Sequence, residues 1–578
     1  MKRSLYFFSL FALVLVVIST SMLSAQSTTD TVYIPGGQSL NISNIINADT
    51  SVTAKRVYVL DRGAIYYIEK AFEITHSSSF IATGAAVRPP VLAVAKRADG
   101  SNEEWYIKLI KKGIKVELKD IYLLSMRSGD HKTLGWSRAI HVGADSVSLK
   151  LRNVVFEAFT EAGIRVEADY AKLDVQNCYF RNFIHSSSYF GGQPFISNNN
   201  DHPDTTIFRN NTFFAVNSYL FSVRGYGPYS VFEHNTVVYT AVNPFLTRTA
   251  DNVYVKNNLF YDVHAWGGDP EQVIGGWFLN YPDTASSAIN QIRKNMVFRG
   301  YATTGPEIHY SDYGIPYDPS KRVHVAQNND YFFSQKLTKF YTDWNDTVAT
   351  FDSVEVITGP KQYLKRTLTM ARWLNDLAVE TIDSLTNQAS WDYSSHVVVS
   401  NNTNLDPGFS DATVLGHADS LKDYVKRIAT RQLDNPWHYK LAFPPVWPLP
   451  ENFAYTNTTM KTAGTDGKPL GDLNWFGMAT GVGGDKLDVH PTAFTLDQNY
   501  PNPFNPSTTI KYQISKNGLT TLKVYNLIGQ EVATLVNGVV TAGSYEVKFD
   551  ASRLSSGVYF YTLRSGNFVE TRKMTLMK

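Results

Sequence analysis

Six short strand-like segments share one pattern: "IHVG" at Ile140, "IRVE" at Ile164, "FISN" at Phe195, "FSVR" at Phe221, "FLTR" at Phe245 and "WFLN" at Trp277. Their first and third positions are mostly apolar, while the second and fourth collect His141, Arg165, Glu167, Asn198, Arg224, Arg248 and Asn280. Alternate side chains of a strand share a face, so these residues are expected to face solvent together. A guanidinium forks onto a carboxylate or sulfate with two bonds, and such a face suits an acidic polysaccharide. Two activities are compatible with it. One is retention of the polymer; the other is β-elimination, in which a cation neutralises a uronate carboxylate and a base removes the acidified C5 proton. A plain alternative is a solvated face in which Arg165 and Glu167 pair with neighbours.

A second cluster lies in "SGDHKTLGWSRAIH", Ser128 to His141, which gathers Asp130, His131, Trp136, Arg138 and His141. Trp136 is a candidate platform for a sugar ring, against the plainer reading of a packed loop. Zinc-type His-Glu spacing, a Gly-Ser nucleophile elbow and a phosphate loop are all absent from the sequence. No cofactor is implied.

The elements that position these residues come from a repeat. "LKLRNVVFEAF", "LDVQNCYFRNF", "TIFRNNTFFAV", "SVFEHNTVVYT", "DNVYVKNNLFYDV" and "NQIRKNMVFRG" are versions of one phrase. An Asn three places before an apolar residue falls at Asn153, Asn177, Asn211, Asn235, Asn257, Asn295 and Asn328, in steps of 24, 34, 24, 22, 38 and 33 residues. A period of this size marks a solenoid whose units bury their apolar faces only by stacking. Helical repeats fit poorly, because the apolar residues alternate with period two in runs rich in Val, Ile, Phe and Tyr. Three short strands with tight turns fill the shorter steps, which predicts an all-β, right-handed parallel β-helix. Asn tolerates the left-handed backbone of such a turn, and stacked amides can bond from coil to coil. Asn153, Asn177, Asn211, Asn235 and Asn257 are therefore expected to form a structural ladder, with Asp120 and Asn401 near the same position.

The chain has 578 residues, 43% hydrophobic and 13% aromatic, enough for a large core and more than one domain. Its formal net charge of +2 is close to balance, and nothing points to nucleic acid. Residues 1–25 have a basic start, an apolar run from Leu5 to Ile18 and small residues at Ser24 and Ala25, as a secretory signal peptide does. The run is short for a retained membrane span. Cys178 is the only cysteine, so no disulfide within the chain is possible. Residues 27–475 are read as the β-helix of a monomer, with helical insertions at 361–382 and 419–433, and 476–493 as a Gly-rich linker. From Phe494 to Lys578, six or seven alternating strands separated by Gly, Asn and Ser turns predict a small immunoglobulin-like β-sandwich.

That last segment resembles the C-terminal sorting domain of type IX secretion in Bacteroidota and relatives, through "YPNPFNP" at Tyr500 to Pro506, "VYNLIGQEV" at Val524 to Val532, "SSGVYFYTL" at Ser555 to Leu563 and the closing "KMTLMK". The resemblance implies export across the outer membrane, to the surface or the medium, with the type IX machinery as partner. The body resembles secreted pectate-lyase-like β-helix proteins of such bacteria. "TTIFRNNTFFAVNSYLFSVRGYG" is similar to the chondroitinase and alginate lyase β-helix family, which implies a catalytic role for Arg224; the outward face and the Trp-bearing loop make His141, Arg165, Glu167, Arg248 and Trp136 the expected substrate-binding residues. The calcium-binding carboxylates and lysine of that family are replaced around "PFISNNN" by Ser197, Asn198 and Asn199, so no carboxylate cluster supports calcium.

Overall fold

The computed structural model describes residues 31–36, 42–49, 56–185, 191–198, 201–242, 244–265, 323–350, 355–358, 361–364, 397–429, 437–478, 495–499, 501–514, 518–540, 543–566 and 568–578. They divide into two compact units, 1–478 and 479–578.

One coil shows how the first unit is built. Ser148–Arg152 is a strand of the first sheet, Asn153 turns the chain at φ 54°, Val155–Glu157 belongs to the second sheet, and Ala162–Val166 belongs to the third. Lys172–Gln176 then returns to the first sheet, parallel to its predecessor, with Leu149 opposite Leu173 and Leu151 opposite Val175. Leu149, Leu151, Phe156, Ile164 and Val166 point inward and are buried. Because the register is kept, like sits on like: the Phe156 and Phe180 rings stack 4.7 Å apart, and Phe180 and Phe213 stack 4.9 Å apart. Such offset stacks add to area burial. Repetition gives three parallel sheets, a β-solenoid. In the coils of Phe221–Glu233 and Phe245–Lys256 one long strand runs round the corner, so the third sheet continues into the first, with a register shift between Val223 and Tyr226.

The N-terminal end is closed by the short helix Ile42–Asn47, which buries Ile42 and Ile46. The Asn47 amide bonds to the Ala71 carbonyl at 2.9 Å and accepts from the Glu73 N–H at 2.8 Å. An exposed parallel edge is thereby paired rather than left as a template for aggregation.

The asparagines occupy two columns, not one. Asp120, Asn153, Asn177, Asn210, His234, Asn257, Asn328 and Asn401 all have positive φ and form an outer column at the turn. The next residue in the later coils forms an inner column. There Asn211 Nδ2 donates to Asn235 Oδ1 at 2.9 Å, Asn235 to Asn258 at 3.1 Å, Asn258 to Asn329 at 2.8 Å and Asn329 to Asn402 at 3.0 Å. Each second amide hydrogen meets a carbonyl, as Asn235 does at Phe208. The five expected ladder residues thus belong to different columns: Asn153, Asn177 and Asn257 to the outer, Asn211 and Asn235 to the inner. The reason is that strand Thr212–Val216 is buried on both faces, so an apolar residue three places on does not fix the register.

Both faces are buried because residues of the first unit cover the outside of the second sheet. Helix Gln335–Ala349, helix Ala418–Ala429 and the stretch 437–476 supply Tyr341, Trp344, Tyr424, Trp437, Tyr439 and Phe453 to this second core. The helix expected over 419–433 is thus present from Ala418 to Ala429, while the one expected over 361–382 begins instead as strand Lys361–Leu364, paired antiparallel to Glu355–Thr358. The rest of that insertion lies outside the described residues. So do the signal-peptide residues, Trp277, Asn280 and Asn295.

The second unit has seven described strands in two antiparallel sheets, of three and four strands, around Leu496, Ile510, Leu522, Tyr561 and Met574.

Candidate functional site

The third sheet brings the outward residues together as the pattern requires. Ile140, Ile164, Phe195, Phe221 and Phe245 are successive register partners, so His141 lies over Arg165. One coil earlier the same sheet contains Trp105, paired with Arg138, and Lys108, paired with His141.

On this face the charged groups hold one another. His141 Nε2 lies 2.9 Å from Glu167 Oε2, and Arg165 Nε donates to Glu167 Oε1 at 2.7 Å. Asn198, one coil on, donates to the same Glu167 oxygen at 2.9 Å and accepts from Arg165 at 3.4 Å. The remaining Arg165 nitrogen faces Glu161 at 3.5 Å. Arg138 pairs with Glu104 at 3.2 Å and lies over the Trp105 ring, whose centroid is 4.6 Å from that of His141. Burial would raise the Glu167 pKa, but Asn198, Arg165 and His141 outweigh it and hold the carboxyl below its ordinary value. Burial lowers the pKa of His141 despite the pull of Glu167, which favours the neutral imidazole. Arg165 therefore has no nitrogen without a partner, and the plain reading of paired neighbours describes it.

The loop cluster divides. Asp130 pairs with Arg127, and His131 stacks on Phe443 with ring centroids 4.4 Å apart, on the side of the covering segment. Arg138 and His141 enter the third sheet. Trp136 stands between the two groups, 51% exposed and edge-on to His185 at 5.0 Å. Arg224 and Arg248 lie on described strands, but their side chains are outside the described residues. Among the described residues, no group of three or more His, Cys, Asp or Glu side chains is arranged to hold a metal.

Sequence reasoning missed Trp105, Glu104 and Glu161. The first two needed only one more coil in the alignment, since "WYIKL" has the alternation of "RAIHV". Glu161 precedes its strand, and only the fold shows that it reaches both Arg138 and Arg165.

Residues 498–577 match the secretion system C-terminal sorting domain. No curated protein and no solved structure matches the chain. The sorting domain directs the protein through type IX secretion to the cell surface or the medium.

Proposed function

We propose that this is a secreted polysaccharide-binding protein whose binding strip is the outer face of the third sheet. The observation that carries the reading is the hydrogen-bonded layer His141, Arg165, Glu167 and Asn198, with Arg138 ion-paired to Glu104, set on consecutive coils beside the half-buried Trp105 and the exposed Trp136. Planar polar groups fixed in advance lose little entropy on meeting sugar hydroxyls, and indole rings suit the apolar faces of sugars. The compensated charges favour an uncharged polymer. An acidic glycan remains the reading for Arg224 and Arg248. Signal-peptide export of residues 1–25 belongs to the same proposal.

Affinity electrophoresis in gels containing β-glucan, xylan, mannan, alginate, pectate or chondroitin tests it. Retardation by at least one polymer, weakened by Trp136→Ala and Arg138→Ala, is expected; unretarded migration in all six gels would refute it.

A second reading, β-elimination on a uronate polymer, is favoured by the neutral His141 held against Glu167 beside Arg165. Release of an ultraviolet-absorbing unsaturated uronate, lost in Arg224→Ala and His141→Ala, is its signature.

A further inference from the structure

We infer that the turn 526–530 of the sorting unit is a hydrophobic prong that enters an apolar pocket of a receptor protein of the type IX machinery. The turn closes the hairpin of strands Gly518–Tyr525 and Glu531–Val540, which pair antiparallel as far as Tyr525 opposite Glu531. Asn526 builds it. Its N–H donates to the Gln530 carbonyl at 3.0 Å, and its own carbonyl accepts from the Gly529 N–H at 3.0 Å. Its side-chain Oδ1 accepts from the Ile528 N–H at 3.1 Å and the Gln530 N–H at 2.9 Å, and its Nδ2 donates to Gln530 Oε1 at 3.0 Å. Gly529 supplies the left-handed residue, at φ 79°.

None of these bonds involves the side chains of Leu527 and Ile528, which are 69% and 78% exposed. The sandwich core around Leu522, Val524 and Tyr561 does not include them. The turn needs Asn526, Gly529 and Gln530, and polar side chains at the two positions between would suit water better. Two adjacent aliphatic groups are thus held outward by a turn that makes no use of them. At the base of the hairpin Lys523 Nζ bonds Glu531 Oε2 at 2.8 Å, which sets a polar rim behind an apolar tip, as in protein-binding patches. A turn fixed beforehand loses little entropy on docking, so its aliphatic side chains can act as anchors. The address names the occupant: the matched sorting segment 498–577 spans the turn, and this is the unit that the secretion machinery receives.

The test is export of the full chain in a type IX-competent host, measured by cell fractionation. Leu527→Ser combined with Ile528→Ser should lower the share at the surface and in the medium by about tenfold or more, as polar replacement of two central anchors does to an interface. The chain should then stay in the periplasm with the urea transition of its sandwich unchanged. Leu527→Met combined with Ile528→Val should be exported as the parent is. So should Leu519→Ser, which alters another exposed aliphatic residue at the far end of the same strand. Asn526→Ala, which loosens the turn but keeps both aliphatic side chains, should fall between. Parent-like export of the double serine variant overturns the prong, and so does an equal loss in Leu519→Ser. Loss of the sandwich's urea transition in the double serine variant would show that the two side chains serve the fold, and overturns it as well. Flotation of the purified parent chain, but not of the double serine variant, with vesicles of phosphatidylethanolamine and phosphatidylglycerol would place the prong in a lipid surface and overturn the receptor.

Discussion

Asn235 has neighbours above, below and beside it. Its Oδ1 accepts from both the N–H and the Nδ2 of Asn211, and its own Nδ2 serves Asn258 and the Phe208 carbonyl. Asn235→Ala removes all of these and leaves buried donors unpaired, each costing about 1–3 kcal/mol. Among the described residues the Asn153 side chain bonds only Asp120, at 3.0 Å, in a turn that is partly exposed. Asn153→Ala should cost about 1 kcal/mol, from one hydrogen bond and a left-handed backbone less suited to Ala. Urea unfolding of the two variants should therefore differ clearly, with Asn235→Ala the weaker; equal losses would contradict the two-column account. The residue type and its role were legible in the sequence. The register was not, because "RNNT" and "EHNT" offer adjacent candidates and the flanking strands have no solvent face to break the tie.

At the scale of elements, alternation identified the coils and the third-sheet face, on which His141, Arg165 and Asn198 are partly exposed while the outward Ile196 and Ser222 are buried. It could not announce the cover on the second sheet. Tyr122, Glu157, Arg181 and Thr212 point outward there and are buried, and Arg181 and Thr212 bond residues 258 and 260 positions later. Arg181 lies between Glu157 and Glu451, all three buried, and donates to the Tyr439 carbonyl at 3.1 Å. Removing Arg181 leaves Glu157 and Glu451 buried without their shared cation, so Arg181→Ala should destabilise by about 3–5 kcal/mol in chemical denaturation. Near the end of the cover, Asp472 accepts from Thr212 Oγ1 at 2.6 Å, its N–H bonds Thr236 Oγ1 at 2.8 Å, and burial pushes its pKa up to about 7. A carboxyl with a raised folded pKa binds its proton more tightly when folded. Its contribution is complete at pH below the unfolded value and is lost as pH rises through about 7. Protection of the 437–476 stretch from proteolysis should fall over that range, and Asp472→Asn should flatten the fall. A parent chain equally protected on both sides of neutrality would contradict this.

For the whole molecule, folding of the body and its export are separable. Residues 1–478 bury their own two cores, and the strands after Thr495 bury a third around Leu496, Ile510 and Tyr561. A solenoid is stabilised by contacts between adjacent coils, so its stability does not call on a separate sandwich. The address, by contrast, resides wholly in the matched segment 498–577. Deleting residues 494–578 should therefore leave a folded body that no longer leaves the cell. In a type IX-competent host, cell fractionation should find the truncated chain in the periplasm and none at the surface or in the medium, while its urea midpoint stays that of the parent's first transition. Normal export of the truncated chain would remove the sorting assignment. A body that unfolds once the segment is gone would instead show that the two units depend on each other for stability.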